Sequence, residues 1–260
     1  MLRSPLRSPL RPSLSAAVAF SPAQFGSQIA GWWDATDLNA VFSDTAMTTR
    51  ASFGQGVAAI RDKGAGGNHL TQSTGTACPL LQSGGGVLFD GTDDFLENSD
   101  SAGLPNGTTP CEIFALVRQD ALVADATARA IISYGGGSAA TRRTLQRNVS
   151  SSNNRIQAIA GDNSGTGLAQ YTAEAFSGVH VAHAVVGATA TTIALNGGTP
   201  VSASVSVNTG STRIRLGALT ATTAANFWNG AMGEVIVTTA LSTADRTSMV
   251  SYLLAKRSLL

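Results

Sequence analysis

The sequence predicts an all-β sandwich of two antiparallel sheets, closed by one helix. Three observations predict it. Short apolar runs are punctuated throughout by Gly, Asn, Asp, Ser and Thr, several runs alternate with period two, and no crossover helices separate them. The last point excludes a parallel α/β fold. Composition agrees: of 260 residues, 43% are hydrophobic but only 6% aromatic, so the core is built from Ala, Val, Leu and Ile. Charged residues make up 13%, about half the usual share. That balance argues against a nucleic-acid binder, a coiled coil and a charged disordered chain.

The chain opens with Met1-Leu-Arg-Ser-Pro-Leu-Arg-Ser-Pro-Leu-Arg-Pro12, a tandem Arg-Ser-Pro-Leu repeat. Arg3, Arg7 and Arg11 give residues 1–25 a charge of +3 with no acid. Pro5, Pro9 and Pro12 each fix their own φ and bias the preceding residue toward extended geometry, so this segment reads as a polyproline-II-like arm. Residues 1–25 are assigned to an extended anchoring arm and 26–260 to the sandwich. Charge is segregated beyond the arm as well, −8 over residues 26–125 and +6 over 126–260, which suits pairing within the chain or between subunits.

From about Gly31 the candidate strands follow in order. They are Val57–Arg61, Gly86–Phe89, Cys111–Arg118, Ala130–Tyr134 and Arg155–Ala160, then Val179–Val186, Thr192–Leu195, Val201–Val207, Arg213–Leu216 and Ala231–Thr238. In Val201–Val207 the odd positions share one face. Turn chemistry lies between the runs at Asp90-Gly91, Pro105-Asn106-Gly107, Gly135–Gly137 and Asn196-Gly-Gly198. Strands so short, each with one face to bury, imply a sandwich. A helix is predicted over 242–257. Ser242 caps it with Asp245 three residues on, Met249, Val250, Leu253 and Leu254 form its apolar stripe, and Lys256 and Arg257 sit near its carboxyl end.

Five motifs in this order resemble the LamG-like, concanavalin A-like jelly rolls of bacterial extracellular and phage proteins. They are Gly31-Trp-Trp-Asp-Ala35; Ile60-Arg-Asp-Lys-Gly64 with Asn68-His-Leu-Thr-Gln72; Val87-Leu-Phe-Asp-Gly91 with Asp94-Phe-Leu96; the His180–Val186 strand leading to Asn196-Gly197; and Phe227-Trp-Asn-Gly-Ala-Met-Gly-Glu-Val-Ile-Val237 before the helix. The resemblance spans about residues 30–257. It implies two antiparallel sheets and leaves function open, since such modules bind sugars, bind proteins or build surfaces. The arm lies outside the family pattern, and a start of that kind resembles phage structural proteins.

Candidate chemistry is sparse. Asp90, Asp93 and Asp94 crowd one turn and are the candidate ligands of a Ca²⁺ ion, although Asp-Gly is also a ready turn. Glu234 lies in an apolar strand with no second acid along it, so a structural hydrogen-bond role, with an Arg as partner, is expected rather than glycoside hydrolysis. His180 and His183 are three apart on a strand and face opposite sides, and His69 lies in a turn. Cys78 and Cys111 could form one disulfide or stay as free buried thiols. Trp32, Trp33, Tyr171 and Trp228 are the candidate glycan contacts, with core packing as the competing role; Tyr134 and Phe227 complete the aromatic set. Arg142, Arg143, Arg147 and Arg155 form a basic region read as a subunit contact or a solvated face.

No H-E-x-x-H, paired C-x-x-C, G-x-S-x-G or phosphate-cradling loop occurs, so no enzyme is expected. The leading expectation is a non-enzymatic virion protein of a phage or phage-like particle, as a fibre, spike or decoration protein. Its arm would bind other virion proteins, the chain would form a homo-oligomer, and the outer face would contact cell-surface glycan. No cofactor beyond the candidate Ca²⁺, no nucleic-acid partner and no membrane span are expected. The alternatives are a secreted carbohydrate-binding module, extracellular and with residues 1–20 as an export signal, and, further off, a glycan hydrolase.

Overall fold

The computed structural model describes residues 20–119, 127–138, 141–150, 153–161, 166–171 and 177–260. Arg3, Pro5, Arg7, Pro9, Arg11 and Pro12 of the expected arm lie outside the described residues. A 3-10 segment, Pro22–Gln28, leads into β1 (Ile29–Asp34), β2 (Val41–Phe42), β3 (Ala59–Ile60), β4 (Leu70–Thr71), β5 (Leu80–Leu81) and β6 (Val87–Asp90). Then come β7 (Leu96–Asn98), β8 (Cys111–Gln119), β9 (Arg129–Gly135), β10 (Arg142–Ser150), β11 (Asn153–Gly161) and β12 (Thr166–Tyr171). The last strands are β13 (Gly178–Val186), β14 (Ala190–Leu195), β15 (Val201–Ser204), β16 (Arg213–Leu216) and β17 (Asn229–Thr239), followed by the helix α1 (Thr243–Ala255). No helix among the described residues is long and apolar enough to cross a membrane.

The strands form two antiparallel sheets, the jelly-roll sandwich that the sequence predicts. The first has eight strands in the order β15-β14-β13-β8-β17-β6-β5, with β1 also on β17. The second has nine, β12-β11-β10-β9-β16-β7-β4-β3-β2. Their facing side chains make the main core, which includes Trp33, Phe89, Tyr134, Leu145, Ile214, Trp228 and Val235.

One expectation changes here. Strands of the first sheet bury both faces, because α1 lies across the outer one. Ile29, Trp32, Phe114, Leu116, Val181 and Ile236 pack there against Leu241, Met249, Val250 and Leu253, with Phe20, Phe25 and Tyr252 at the margin. Each large apolar side chain so covered contributes about 1.5–3 kcal/mol, so helix docking accounts for much of this layer's stability. The helix begins where the cap predicts: Ser242 Oγ accepts from Asp245 N at 3.2 Å and donates to the Asp245 carboxylate at 2.7 Å.

The Ile60–Gly64 and Asn68–Gln72 motifs act as a staple. The buried Asp62 carboxylate accepts from Trp32 N (2.7 Å), Gly64 N (2.8 Å) and Asn68 N (2.8 Å). Asn68 donates to Ala30 O, its own carbonyl accepts from the Trp33 indole, and His69 Nδ1 accepts from Asp62 N. Asp62→Asn keeps an acceptor for two of the three N–H groups and sets an amide against the third. A loss of about 1–3 kcal/mol is expected by urea unfolding.

The basic region is not a solvated face throughout, although Arg142 and Arg155 are only half-buried. Arg143 and Arg147 lie on β10 and are fully buried. Arg143 donates to Thr209 Oγ1, the Gly107 and Thr109 carbonyls and Tyr134 Oη, so neutral acceptors satisfy a guanidinium inside the sandwich. Cys78 and Cys111 are buried free thiols, Cys111 Sγ lying 3.1 Å from Tyr134 Oη.

Candidate functional site

A cavity of about 390 Å³ opens between α1 and the β13–β14 side of the first sheet. Strand alternation turns His183 and Val185 of β13 and Thr192 and Ala194 of β14 toward it, and Arg246, Thr247, Val250, Ser251 and Leu254 face it from α1 at helical spacing. The third side is the turn after β14. Asn196 and Gly197 both hold positive φ, 52° and 76°, as the centre of a type I′ turn requires, and Gly198 N closes that turn on Leu195 O at 2.8 Å. A Cβ on Gly197 would stand 3.5 Å from Val250, so the turn lies against the helix.

The wall is fixed by Glu112. Its fully buried carboxylate faces His183 Nε2 at 2.8 Å, accepts Arg246 Nε at 2.8 Å and Nη2 at 2.7 Å, and accepts Leu241 N at 2.9 Å. Burial pushes this carboxyl upward, but the bonds from Arg246, His183 and Leu241 outweigh it and hold it down at about 2. The His183 ring stacks on Phe114, centroids 4.3 Å apart and planes within 8°. Apolar floor and polar rim thus converge on one space of ligand size, roughly 300–1,000 Å³ for small-molecule sites.

A second polar cluster pins the other end of α1. Lys256 Nζ lies 3.1 Å from both oxygens of Asp34 and 2.5 Å from Glu234 Oε2, while Trp32 Nε1 and Tyr252 Oη donate to Glu234 Oε1 at 2.6 and 3.2 Å. Lys63 joins Asp34 to Asp37. Burial raises the Glu234 carboxyl to about 7, the nearby Asp34 charge adds to that, and Lys256 opposes it. Glu234 therefore has a structural partner as expected, but that partner is Lys256 with Trp32 and Tyr252 rather than an Arg. A second acid also stands beside it, since Asp34 is its register partner on β1. The pair lies buried beneath Tyr252 and Lys256, and its geometry is that of a clamp.

Two other polar clusters among the described residues are engaged internally. A cavity of about 470 Å³ beside Asp44, Gln55 and Gln72 has those side chains engaged with Thr48 N, Ser52 N and Thr74 N. On the outer face of the second sheet Gln146 donates to Gln157 at 3.2 Å and Gln157 donates to Gln170, while Arg215 pairs with Glu97 at 2.8 Å.

The sequence-predicted residues fall as follows. Trp32, Trp33, Tyr171 and Trp228 are all buried; Trp33 and Trp32 point to opposite faces of β1, but α1 covers the outer one. Asp90, Asp93 and Asp94 come together in the β6–β7 turn, with one ligand atom of each within 4.8 Å of the others. Asp94 accepts from Asp90 N at 2.8 Å and Asp90 from Thr92 N at 2.7 Å, and burial with the two neighbouring charges raises Asp94 to about 6. His180 and His183 do face apart, His180 toward Ser177 O and Asn196, and His183 toward Glu112. The last residues assigned to the arm are not extended: Pro22–Gln28 is a 3-10 segment, and the Phe20 ring packs against Phe25 at 5.6 Å and Tyr252 of α1 at 5.7 Å. The groove escaped the sequence reading because Glu112 lies 71 positions from His183 and 134 from Arg246, and no local spacing links them.

No protein-family model matches the chain, and no curated protein matches it. Solved structures share its fold. An arabinofuranosidase complexed with arabinofuranosyl-α-1,2-xylobiose has a TM-score of 0.59 at 15% identity, over 91% of this chain and 64% of its own. A GH54 α-L-arabinofuranosidase soaked with a cyclic sulfate inhibitor has 0.56 at 14% identity, over 88% and 63%. Domains LG4-5 of the mouse laminin α1 chain give 0.48 at 12% identity, over 70% and 50%. The chain spans less than two thirds of either arabinofuranosidase. The likeness establishes the sandwich fold and overturns one expectation. Missing motifs do not remove this chain from the enzymes, because two of the proteins that share its fold over some nine tenths of its length are arabinofuranosidases. At 14–15% identity their activity is not established for this chain.

Proposed function

We propose that this chain is a glycan-interacting jelly-roll module and that the groove between α1 and β13–β14 holds the sugar. The observation that carries the reading is the groove itself: about 390 Å³, with Val185, Ala194, Val250 and Leu254 as floor and His183, Arg246, Thr192 and Ser251 as converging polar groups. An arabinofuranosidase of the same fold complexed with an arabinofuranosyl-xylobiose is in keeping with it. Ser251→Trp fills the groove from the surface of α1. It is expected to weaken oligosaccharide binding at least about tenfold by calorimetry while leaving the circular dichroism spectrum unchanged. Undiminished binding would contradict the reading.

The finer proposal places the module on a virion, as a fibre, spike or decoration protein of a phage or phage-like particle. Residues 1–25 anchor it to neighbouring virion subunits, and host-surface glycan is its outward partner. The support is the +3 Arg/Pro leader beside a low-charge sandwich. Deleting residues 2–12 is expected to abolish incorporation into particles without altering folding, and normal incorporation of that variant would refute the anchoring role.

A further inference from the structure

We infer that the groove selects a carboxylate-bearing sugar, such as a uronic acid, over its neutral counterpart, an inference that rests on the groove holding the sugar. The argument is one of donors and acceptors. Arg246 lines the groove with its side chain 31% exposed; it spends Nε and Nη2 on Glu112, and Nη2 also donates to Leu241 O at 3.4 Å. Its Nη1 makes no hydrogen bond among the described residues, so one edge of a guanidinium remains for a ligand. Nη1 presents two N–H donors on a charged group, and its charge-assisted bond to a carboxylate is stronger than one to a neutral hydroxyl.

The acceptor side is the reverse. Glu112 is the acid of this site, yet its side chain is fully buried and its oxygens already serve His183, Arg246 and Leu241 N. Asp245, one residue before Arg246, is turned back on Ser242 and does not line the groove. A neutral sugar brings hydroxyls that need acceptors as well as donors, whereas a carboxylate brings acceptors alone. Glu112 neutralises Arg246 at one edge without offering a repelling charge to the space, so an arriving carboxylate meets donors and the hydroxyls of Thr192 and Ser251.

The test uses the full chain and two probes of one size, galacturonic acid trimer and galactose trimer with the same linkage, titrated by calorimetry. The acidic trimer is expected to bind at least about tenfold more tightly than the neutral one, a difference of about 1.4 kcal/mol. Ser251→Trp is expected to remove that binding. Arg246→Lys keeps a cation for Glu112 but loses the Nη1 donor that faces the ligand, and is expected to cut the preference below about threefold with folding confirmed by circular dichroism. If the neutral trimer binds as tightly and Ser251→Trp abolishes it, the acid preference is refuted and the groove stands. If neither trimer binds, or the acidic one binds equally to Ser251→Trp, both readings are refuted.

Discussion

Glu112→Gln is expected to be among the most damaging single substitutions in the chain, costing about 3–5 kcal/mol at pH 7 because it leaves Arg246 and His183 beside a buried amide. Four contacts converge on the native carboxylate, from His183, from Arg246 twice and from Leu241 N. They tie β8 to β13 and to the start of α1, so their loss loosens the helix as well as the groove wall. The pH dependence has a definite sign. The folded carboxyl sits at about 2, below its ordinary 4.5, so its contribution is present above pH 4.5 and disappears as pH falls toward 2. A depression of that size corresponds to about 3 kcal/mol. Urea unfolding of wild type and variant at pH 7 and pH 3 checks both points: the gap between them should narrow on acidification. A gap that is absent at pH 7, or that widens at pH 3, would show that Glu112 is not the anchor.

Lys256→Met carries the second large effect. It removes the ammonium that lies between Asp34 and Glu234 and leaves two buried carboxylates facing one another across β1 and β17. About 3–5 kcal/mol is expected to be lost at pH 8. Here the sign runs the other way. Glu234 is raised to about 7 in the native protein, so the protonated form is favoured by folding, and stability from this group is greatest below pH 4.5 and lost as pH rises through 7. The Lys256→Met penalty should therefore shrink at pH 5. Glu234→Gln alone mimics the protonated acid and should cost little near pH 7, within about 1 kcal/mol. Combined with Lys256→Met it should recover part of the loss, and the coupling read from the double-mutant cycle measures the clamp directly. Strict additivity would mean that the three side chains do not act together.

Much of the fold was legible in particular residues. The near-continuous apolar runs of Cys111–Arg118 and Val179–Val186 mark central strands, Asn196-Gly197 marks a tight turn, and Ser242 with Asp245 marks the start of α1. The opposite faces taken by Trp32 and Trp33 also follow from the sequence, since successive strand residues must point apart. What the sequence could not carry was which outer face is covered, because that depends on where α1 docks more than 200 residues after β1. Hence Trp32 read as a candidate sugar platform when it is a lid over Glu234.

The Asp34–Glu234 pairing was hidden for a different reason. Between Met232 and Glu234 the register with β8 slips by one residue at Gly233. Met232 and Val235 both enter the main core, so parity reverses and Glu234 emerges on the helix side. A strict period-two reading puts Glu234 on the Met232 face, away from Asp34. The β10 arginines failed similarly: charge suggested solvent, but Arg143 finds backbone and hydroxyl acceptors enough to be buried whole.

The most direct test of the groove is a ¹⁵N-labelled titration of the full chain with galacturonic acid trimer, following amide shifts residue by residue. Binding in the groove should move Thr192, Asn196, Gly197, Thr247 and Ser251, on three elements that meet nowhere else. Shifts gathered instead on the outer face of the second sheet, around Glu97, Gln170 and Arg215, would contradict it.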